Sequence, residues 1–447
     1  MNQVNARRVA LDVLNAIEQE EAYSNLALQE ALRKNPMKKE DKRLVSKLVY
    51  GVIENRMRLD YCIKQYSKTK LKKIQLSVLN LLRMAVYQID FMERIPNSAA
   101  VNESVNITKK VNFKSTGFVN GILRAYLRNG GCKIDPKSMD KVMYLSIQYS
   151  HPQWLVERYI KQFGYDATKA ILIADNEPPE LSIRINPLKS NRQKIEKELI
   201  QNGLEIAVNP LLEEGLIIER LGDQSIEVLE AFKNGGFSVQ DTSSMLVGYV
   251  VGPKEGELVI DVCAAPGGKT THMAELMGDK GQVVAFDIHN HKIDLINSYA
   301  HRLNLQSIKA KSWDATKVLE EYIEQADKVL VDAPCSGLGI IRRKPEIRYN
   351  KSVEDIHQLK EIQLEIMKTS AKYVKKNGQL IYSTCTIDKE ENIDNIKRFL
   401  ELHPNFILED INSDLPEALR SKEKFLQLLP GDHGLDGFFI ARLKREK

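Results

Sequence analysis

The sequence predicts a multidomain protein with an all-α domain over residues 1–135, a linker and small α+β domain over 136–235, and an α/β domain with a mostly parallel sheet over 236–447. Apolar residues recur at helical spacing through the first part. In the second part, residues 181–186 alternate apolar and polar side chains, as a half-buried strand does. From Leu258 onward, short apolar runs alternate with longer amphipathic stretches, which is typical of a parallel sheet with helices on both faces.

The composition is that of a globular protein, with 43% hydrophobic and 28% charged residues in a chain of 447. No apolar run reaches about 18 residues, so we expect no transmembrane helix, and the N-terminus lacks the apolar core of a signal peptide. The five cysteines are Cys62, Cys132, Cys263, Cys335 and Cys385. Their odd number and wide spacing disfavour a disulfide framework or a zinc site. We therefore expect a cytoplasmic protein with reduced thiols and no bound metal.

The first 135 residues carry 24 Lys and Arg against 13 Asp and Glu, a balance of +11 in a chain whose total is +5. Such an asymmetry suggests contact with a polyanion, although a solvated basic surface explains it about as well. The strongly apolar stretch 76–89 predicts a buried helix. Two later stretches, 95–105 and 117–124, resemble the RNA-binding antitermination factor NusB, whose fold is a helical bundle. That resemblance implies an RNA-docking module without catalytic chemistry.

The small α+β part is predicted to contain a polar helix between two strands. The helix covers residues 194–202, and the strands cover 181–186 and 216–219. In the last part, five strands are predicted over 258–262, 283–287, 308–313, 328–332 and 379–383, with helices over 290–303 and 354–374 among them. Two further apolar stretches, 425–429 and 437–443, predict a hairpin at the edge of the sheet.

The turn after the first of these five strands, residues 263–269, leads into a helix at Thr270. Free backbone N–H groups at a helix start suit an anionic group. Asp287 stands at the tip of the next strand, where an acid can accept hydrogen bonds from a ribose diol. The pattern therefore predicts a nucleoside ligand with a charged tail.

The same turn allows a second interpretation, because Gly268-Lys269-Thr270 is also the end of a P-loop. A P-loop requires glycine where Cys263 stands, and Pro266 removes an N–H from the phosphate cradle. The nicotinamide fingerprint Gly-x-Gly-x-x-Gly does not occur in this stretch. An ordinary strand–turn–helix joint is the remaining alternative.

Six candidate site residues stand at the predicted carboxyl ends of strands. They are Cys263, Asp287, Asp314, Asp332, Cys335 and Cys385. Ligands of open parallel sheets bind beyond these ends, so we predict that the six residues act together.

Two motifs, Asp332-Ala-Pro-Cys335 and Ser383-Thr-Cys385, carry a specific resemblance. With the 263–269 turn and the run from Arg342 to Glu346, they resemble the RsmB/NOP family of RNA 5-methylcytosine methyltransferases. The resemblance covers nearly the whole chain. It implies a Rossmann-like S-adenosylmethionine (SAM)-dependent methyltransferase domain, preceded by an RNA-recognition-like domain and a NusB-like domain.

The resemblance also implies roles for individual residues. The implied SAM-binding residues are Cys263, Ala264, Ala265, Pro266, Gly267, Gly268, Lys269, Asp287, Asp314 and Asp332, and the implied RNA-binding residues are Arg342, Arg343 and Lys344. Either thiol is a candidate nucleophile, since DNA cytosine methyltransferases use the cysteine of the Pro-Cys motif, here Cys335. The RNA family uses the cysteine of the Thr-Cys motif, which assigns the attack to Cys385, product release to Cys335 and the edge of the target base to Asp332.

The chemistry explains why a thiol is needed. C5 of cytosine is too weak a nucleophile to take a methyl group directly, and a thiolate added to C6 makes C5 enamine-like. An ordinary thiol is only a few per cent ionised at pH 7, so the site must stabilise the thiolate. A helix predicted to start near Asp388 would do so through its dipole, whereas the acids Asp388, Glu390 and Glu391 would oppose it.

We therefore expect a monomeric enzyme that transfers a methyl group from SAM to C5 of a specific cytosine in 16S ribosomal RNA through a covalent Cys–C6 adduct. The target base must be unpaired or flipped out to reach a thiol. Two alternatives are a non-catalytic RNA-binding antitermination or ribosome-assembly factor, and a P-loop nucleotide hydrolase.

Overall fold

The computed structural model describes residues 4–20, 22–221 and 225–446. The chain divides into two compact units. The first unit comprises Met1–Glu177 together with Ile341–Lys351, and the second comprises Pro178–Ile340 and Ser352–Lys447. The helical part of the chain thus continues past residue 135 to Glu177, and a short segment from the second half of the sequence joins it.

The first unit is built from helices. Those before Glu177 are α1 (Ala6–Glu20), α2 (Ser24–Lys34), α3 (Lys39–Glu54), α4 (Arg56–Tyr66), α5 (Leu76–Phe91), α6 (Asn97–Val111), α7 (Thr116–Arg128), α8 (Lys141–Tyr149), α9 (Gln153–Phe163) and α10 (Tyr165–Ala174). The prediction of a buried helix over 76–89 is confirmed by α5, whose residues are buried from Val78 to Gln88. Even Arg83 on this helix is buried, because Asp60 and Glu18 accept its hydrogen bonds at 2.6 and 2.7 Å and compensate its charge.

A disulfide in this unit corrects the expectation of five reduced thiols. Cys62 on α4 is bonded to Cys132, which follows α7, whereas the other three cysteines are free. The two bonded residues are 70 positions apart. Only the packing of α4 against α7 brings them together, and the spacing of cysteines in the sequence carries no sign of that packing.

The second unit begins with a small four-stranded sheet. Its elements are β1 (Leu181–Ile185), α11 (Arg192–Gln201), β2 (Glu205–Val208), β3 (Gly215–Arg220), α12 (Glu230–Lys233) and β4 (Phe237–Val239). The strands pair antiparallel in the order β2-β3-β1-β4. Both predicted strands and the predicted helix are present, and the sheet gains two short strands, β2 and β4, that were not predicted.

The rest of the unit is an α/β domain. Its elements are α13 (Thr242–Val251), β5 (Leu258–Asp261), α14 (Gly268–Leu276), β6 (Gln282–Asp287), α15 (Asn290–Leu303), β7 (Ile308–Ser312), β8 (Ala326–Asp332), α17 (Val353–Ala371), β9 (Val374–Thr384), α18 (Ile393–Leu402), β10 (Phe406–Glu409), β11 (Leu426–Leu428) and β12 (Phe438–Arg445). The helix between β8 and α17, α16 (Ile347–Asn350), belongs to the first unit.

The large sheet has the order β10-β12-β9-β8-β5-β6-β7, with β11 paired to β12. The five strands from β5 to β9 are parallel, which confirms the predicted architecture. The expectation of an edge hairpin is wrong in one respect, because β12 pairs with β9 on one side and β10 on the other. Its residues Phe438–Leu443 are all buried, and such two-sided burial suits an internal strand.

The three-part fold class predicted from the sequence is confirmed: a helical domain, a small α+β domain and an α/β domain with a mostly parallel sheet. Across the described residues, the helices are all too short or too polar to cross a membrane.

Candidate active site

The carboxyl ends of the five parallel strands bring together the six residues singled out in the sequence. Cys263 follows β5, Asp287 ends β6 and Asp314 follows β7. Asp332 ends β8, shortly before Cys335, and Cys385 directly follows β9. Because the order is β9-β8-β5-β6-β7, the two cysteines of the motifs lie at one end of this row and Asp287 and Asp314 at the other. We call these the cysteine side and the donor side.

On the cysteine side, the two motif cysteines are in contact. Cys335 Sγ lies 3.4 Å from Cys385 Sγ, and both residues are partly buried. The hydrogen bond to Cys385, together with burial, raises the pKa of the Cys335 thiol well above its ordinary value. Burial and the contact with Cys385 therefore favour the protonated form of Cys335.

Close backbone packing sets the positions of the loops that follow β8 and β9. They carry Cys335 and Cys385, and we call them the cysteine loops. Gly339 N donates to Cys385 O at 2.9 Å, and Gly437 N donates to Gly339 O at 2.8 Å. A Cβ atom on Gly339 would clash with the carbonyl oxygen of Gly437 and lie 2.9 Å from Cys385 O. Only glycine permits this approach.

The helix predicted near Asp388 is not present. After Cys385 the chain forms a turn, and α18 begins only at Ile393. Of the acids in this turn, Glu390 pairs with Lys360 at 2.7 Å, whereas Asp388 and Glu391 are buried. The prediction of a helix dipole acting on Cys385 is therefore wrong. Of the three acids, Glu391 contributes to the raised pKa of the neighbouring Cys335 thiol, after the hydrogen bond to Cys385 and burial.

Asp332 lies between the two sides and contacts both. Lys269 Nζ donates to Asp332 Oδ2 at 2.6 Å, and Ser383 Oγ donates to Oδ1 at 2.8 Å. Burial lowers the pKa of Lys269, but the Asp332 carboxylate outweighs that effect, so its pKa is raised overall and the lysine stays charged.

On the donor side, the 263–269 turn leads into α14. Gly267 has φ of 106°, a conformation that favours glycine, and Gly268 begins the helix. Burial and the nearby Asp261 raise the pKa of the Cys263 thiol well above its ordinary value, so Cys263 is not an activated nucleophile.

Beneath this turn, Asp261 is fully buried. Thr270 Oγ1 donates to its Oδ2 at 2.7 Å, whereas its Oδ1 is buried without a hydrogen-bond partner. Burial raises the pKa of Asp261 to about 7. A buried carboxylate oxygen without a donor is costly, and this one lies next to the strand end where a ligand would bind.

The remaining two acids of the donor side both contact residues that follow them closely in the chain, and Asp314 Oδ2 lies 3.6 Å from Lys317 Nζ. Asp287 Oδ1 accepts from His289 N at 3.1 Å, and Lys292 Nζ lies 3.5 Å away. Asp314 Oδ1 accepts from both the hydroxyl and the backbone N–H of Thr316, and these bonds hold the pKa of Asp314 below its ordinary value.

The predicted RNA-binding run, Arg342 to Lys344, lies in the segment Ile341–Lys351 of the first unit. Arg342 is only 7% exposed, which leaves little surface for a phosphate contact. Lys344 Nζ lies 5.0 Å from the centroid of the Tyr23 ring. Arg343 is partly buried.

Two buried charged residues anchor this segment within the helical unit. Glu346 accepts from the backbone N–H and the hydroxyl of Ser24, at 3.2 and 2.7 Å, at the start of α2. The Arg348 guanidinium is fully buried and donates to the carbonyl oxygens of Glu54, Ser150 and Asp175. Nothing in the sequence around Arg342 predicted this role.

Sequence reasoning missed three residues of the site, Asp261, Gly339 and Ser383, and it gave Glu391 a different role. A signal existed for Asp261, because it is an acid inside an apolar strand, and for Ser383, because it belongs to the Ser-Thr-Cys motif. Within the part of the chain that the structure describes, no group of three or more His, Cys, Asp or Glu residues could hold a metal ion.

Comparison with known proteins shows which family the chain belongs to. The profile of 16S rRNA methyltransferase RsmB/F matches residues 248–444, the ferredoxin-like domain of RsmF/B-like methyltransferases matches 151–224, and the NusB family matches 4–128. The probable ribosomal RNA small subunit methyltransferase B of Bacillus subtilis is 40% identical over the full length of both chains. The protein of the same description from Synechocystis is 36% identical and covers 99% of this chain and 100% of its own.

Solved structures agree with this assignment. The crystal structure of PH0851 covers 100% of both chains with a TM-score of 0.83 and 29% identity. NSun6 from Pyrococcus horikoshii, solved with SFG, covers 66% of this chain and 98% of its own, with a TM-score of 0.60 and 26% identity. The chain therefore belongs to the 16S rRNA methyltransferase RsmB/F family and is a SAM-dependent methyltransferase of small-subunit ribosomal RNA.

Proposed function

We propose that this chain methylates C5 of a specific cytosine in 16S ribosomal RNA through a covalent bond between Cys385 Sγ and C6 of the base. The observation that carries the proposal is the pair of thiols 3.4 Å apart at the sheet edge, next to a strand end occupied by Asp332. A single base presented there would meet both thiols and a carboxylate.

SAM supplies an electrophilic methyl group on a sulfonium when it is bound. The residues that would hold it are Asp287, at its ribose, Asp314, near its adenine, and the turn that contains Cys263, Ala264, Ala265, Pro266, Gly267, Gly268 and Lys269. Two features fit such a ligand. The start of α14 offers backbone N–H groups to a carboxylate, and the buried Asp261 Oδ1 has no protein donor.

In the reaction, the Cys385 thiolate forms a bond to C6, and the electron pair of the C5–C6 double bond becomes available at C5. C5 then takes the methyl group as the methyl–sulfonium bond breaks. Transfer of the C5 proton to water and departure of Cys385 as a thiolate restore the double bond. Cys335, whose raised pKa keeps it protonated, donates a hydrogen bond to the departing sulfur and so assists release.

Asp332 faces the polar edge of the base near N3 and the amino group, where charge develops as the thiolate adds. Arg343 and Lys344 are the candidates for phosphate contacts, whereas Arg342 would first have to leave its buried position. Because the substrate is ribosomal RNA, we place the reaction in the cytoplasm, and we assign it to a monomer.

Methyl transfer from labelled SAM to 16S ribosomal RNA tests the proposal, with the modified base identified by nuclease digestion. Cys385→Ala should lower the rate by about 10⁴-fold or more, as loss of a nucleophile does. Cys335→Ala should accumulate a covalent protein–RNA species that survives denaturing electrophoresis. Label at any atom other than C5 of cytosine would refute the proposal, and exchanged outcomes for the two variants would reverse the roles of the thiols.

A further inference from the structure

Glu391 is the buried acid on which the two cysteine loops converge. Its Oε2 accepts from Ser336 N at 2.9 Å and from Gln363 Nε2 at 2.9 Å. Its Oε1 accepts from the Ser336 hydroxyl and from Thr386 Oγ1, the latter at 3.1 Å. The side chain is fully buried, so its four donors all come from the protein.

Three of these bonds go to residues next to the reactive thiols. Ser336 directly follows Cys335, and Thr386 directly follows Cys385. The hydroxyls of Ser336 and Thr386 also lie 2.8 Å apart. The Glu391 carboxylate therefore accepts hydrogen bonds from the residue that follows each cysteine.

Gln363 on α17 also holds the residue that precedes Cys335. Its Nε2 donates to Pro334 O at 3.0 Å as well as to Glu391, so both neighbours of Cys335 are held. The Glu391 backbone is fixed in turn, because the buried Tyr382 hydroxyl donates to Glu391 O at 2.7 Å. Tyr382 lies on β9, the strand that Cys385 directly follows.

The arrangement requires an acceptor on both oxygens of residue 391. A glutamine there would turn its amide either toward Ser336 N and Gln363 Nε2, which are N–H donors, or toward the hydroxyls of Ser336 and Thr386, which would then have to accept instead of donate. A buried donor without an acceptor is costly. A carboxylate accepts all four bonds, and charge-assisted bonds of this kind are stronger than neutral ones.

We propose that Glu391 is a positioning residue that holds the Cys335 and Cys385 loops so that the two thiols meet the same base. The inference rests on the proposed function, in which both thiols act on one cytosine. Glu391 touches neither the base nor the methyl donor in this scheme.

The experiment compares wild type with Glu391→Gln, with Glu361→Gln as the matched control. Glu361 lies on α17 and forms an exposed pair with Arg398 at 2.5 Å, away from the cysteine loops. The first readout is the rate at which diamide converts the Cys335 and Cys385 thiols to a disulfide, followed by peptide mapping. Diamide takes up the two hydrogen atoms that the thiols lose. The second readout is kcat and KM for methyl transfer, and the third is SAM affinity.

Glu391→Gln should slow disulfide formation and lower kcat by about ten- to a hundredfold, the range expected for misplaced reacting groups, with SAM affinity unchanged. Glu361→Gln should match wild type in all three readouts. Disulfide formation and kcat at wild-type values in Glu391→Gln would overturn the inference.

If Glu391→Gln loses SAM affinity because the domain does not fold, Thr386→Val is used to test the inference in its place. It is nearly isosteric and removes the Thr386 hydroxyl, which donates to Glu391, lies 2.8 Å from the Ser336 hydroxyl and accepts from Asp388 N, so it should slow disulfide formation in the same direction. Wild-type disulfide formation in that variant would also overturn the inference. The disulfide readout needs no RNA, so a failure of cytosine methylation in wild type would count against the proposed function alone.

Discussion

Two buried carboxylates of the catalytic domain, Asp261 on the donor side and Glu391 on the cysteine side, are satisfied to different extents. The protein supplies four hydrogen-bond donors to Glu391, two for each oxygen. Asp261 receives a side-chain hydrogen bond from Thr270 on Oδ2, and its Oδ1 is buried without a partner.

The difference in hydrogen bonding distinguishes a carboxylate that fixes the geometry of the site from one that can still bind a ligand. A saturated carboxylate has no oxygen for a substrate, so Glu391 can act only through the geometry it imposes. An unsatisfied buried carboxylate is costly in the free protein, and a bound ligand or its waters can relieve that cost. Glu391 on the cysteine side is thus satisfied within the protein, whereas Asp261 on the donor side keeps one buried oxygen without a partner.

The largest effect on methyl transfer is expected from a substitution of Asp332, which contacts both the cysteine side and the donor side. Asp332→Asn keeps the shape of the side chain but removes the charge that holds Lys269 and faces the base. We expect kcat/KM for methyl transfer to fall by about 10²- to 10³-fold, as for loss of a group that stabilises developing charge.

Asp327→Asn is the matched control, because Asp327 lies on the same strand, β8, and Asp332 ends that strand at the opposite edge of the sheet. It should change kcat/KM by less than tenfold. If Asp332→Asn weakened SAM binding but left the rate at saturating SAM intact, Asp332 would belong to the donor side alone.

A pH-dependent stability is expected from Asp261. Its folded-state pKa of about 7 exceeds that of an unfolded aspartate, so its contribution to stability is complete below pH about 4 and is lost as pH rises through 7. The loss amounts to at most about 4 kcal/mol. Asp261→Asn cannot ionise, so its stability relative to wild type should rise between pH 5 and pH 8.

Chemical denaturation of the two proteins at pH 5, 6, 7 and 8 checks this, with the transition of the catalytic unit identified by its response to SAM. Thr270→Val, which removes the bond that lowers the pKa of Asp261, should move the transition to higher pH. Parallel pH profiles for wild type and Asp261→Asn would contradict the assignment.

Much of this site followed from the sequence because parallel strands place their carboxyl ends at one edge. Cys263, Asp287, Asp314, Asp332, Cys335 and Cys385 were each assigned to a strand end, and the structure gathers them there. The family assignment likewise leaves no support for the P-loop alternative, which Cys263 and Pro266 had disfavoured.

The features that could not be predicted from the sequence depend on contacts between residues far apart in the chain. Glu391 looked like one of three acids beside Cys385, because only the fold reveals that its donors come from Ser336 and Gln363. The run after Arg342 looked like a basic surface strip, because its anchoring through Glu346 and Arg348 depends on helices more than 150 residues earlier in the chain. The disulfide of Cys62 and Cys132 depended on helix packing in the same way.

A smaller effect on stability is expected from Gly339 on the cysteine side. Gly339→Ala places a methyl group against the backbone of Gly437 and Cys385, where no flexible side chain can move aside. Overpacking of this kind costs about 1–3 kcal/mol, so the denaturation midpoint of the catalytic unit should fall. An unchanged midpoint would show that the cysteine loops are looser than their hydrogen bonds suggest.

The smallest effect is expected from the corresponding change on the donor side, Gly268→Ala. A Cβ atom there would meet no heavy atom within 4 Å, and Gly268 begins α14 with φ outside the left-handed region. The stability of the free protein should therefore change by no more than about 0.5 kcal/mol. SAM affinity, measured by calorimetry on the same variant, supplies the contrast. A loss of affinity without a loss of stability would mean that the open space beside Gly268 belongs to the methyl donor, whereas equal affinity would place the donor away from this turn.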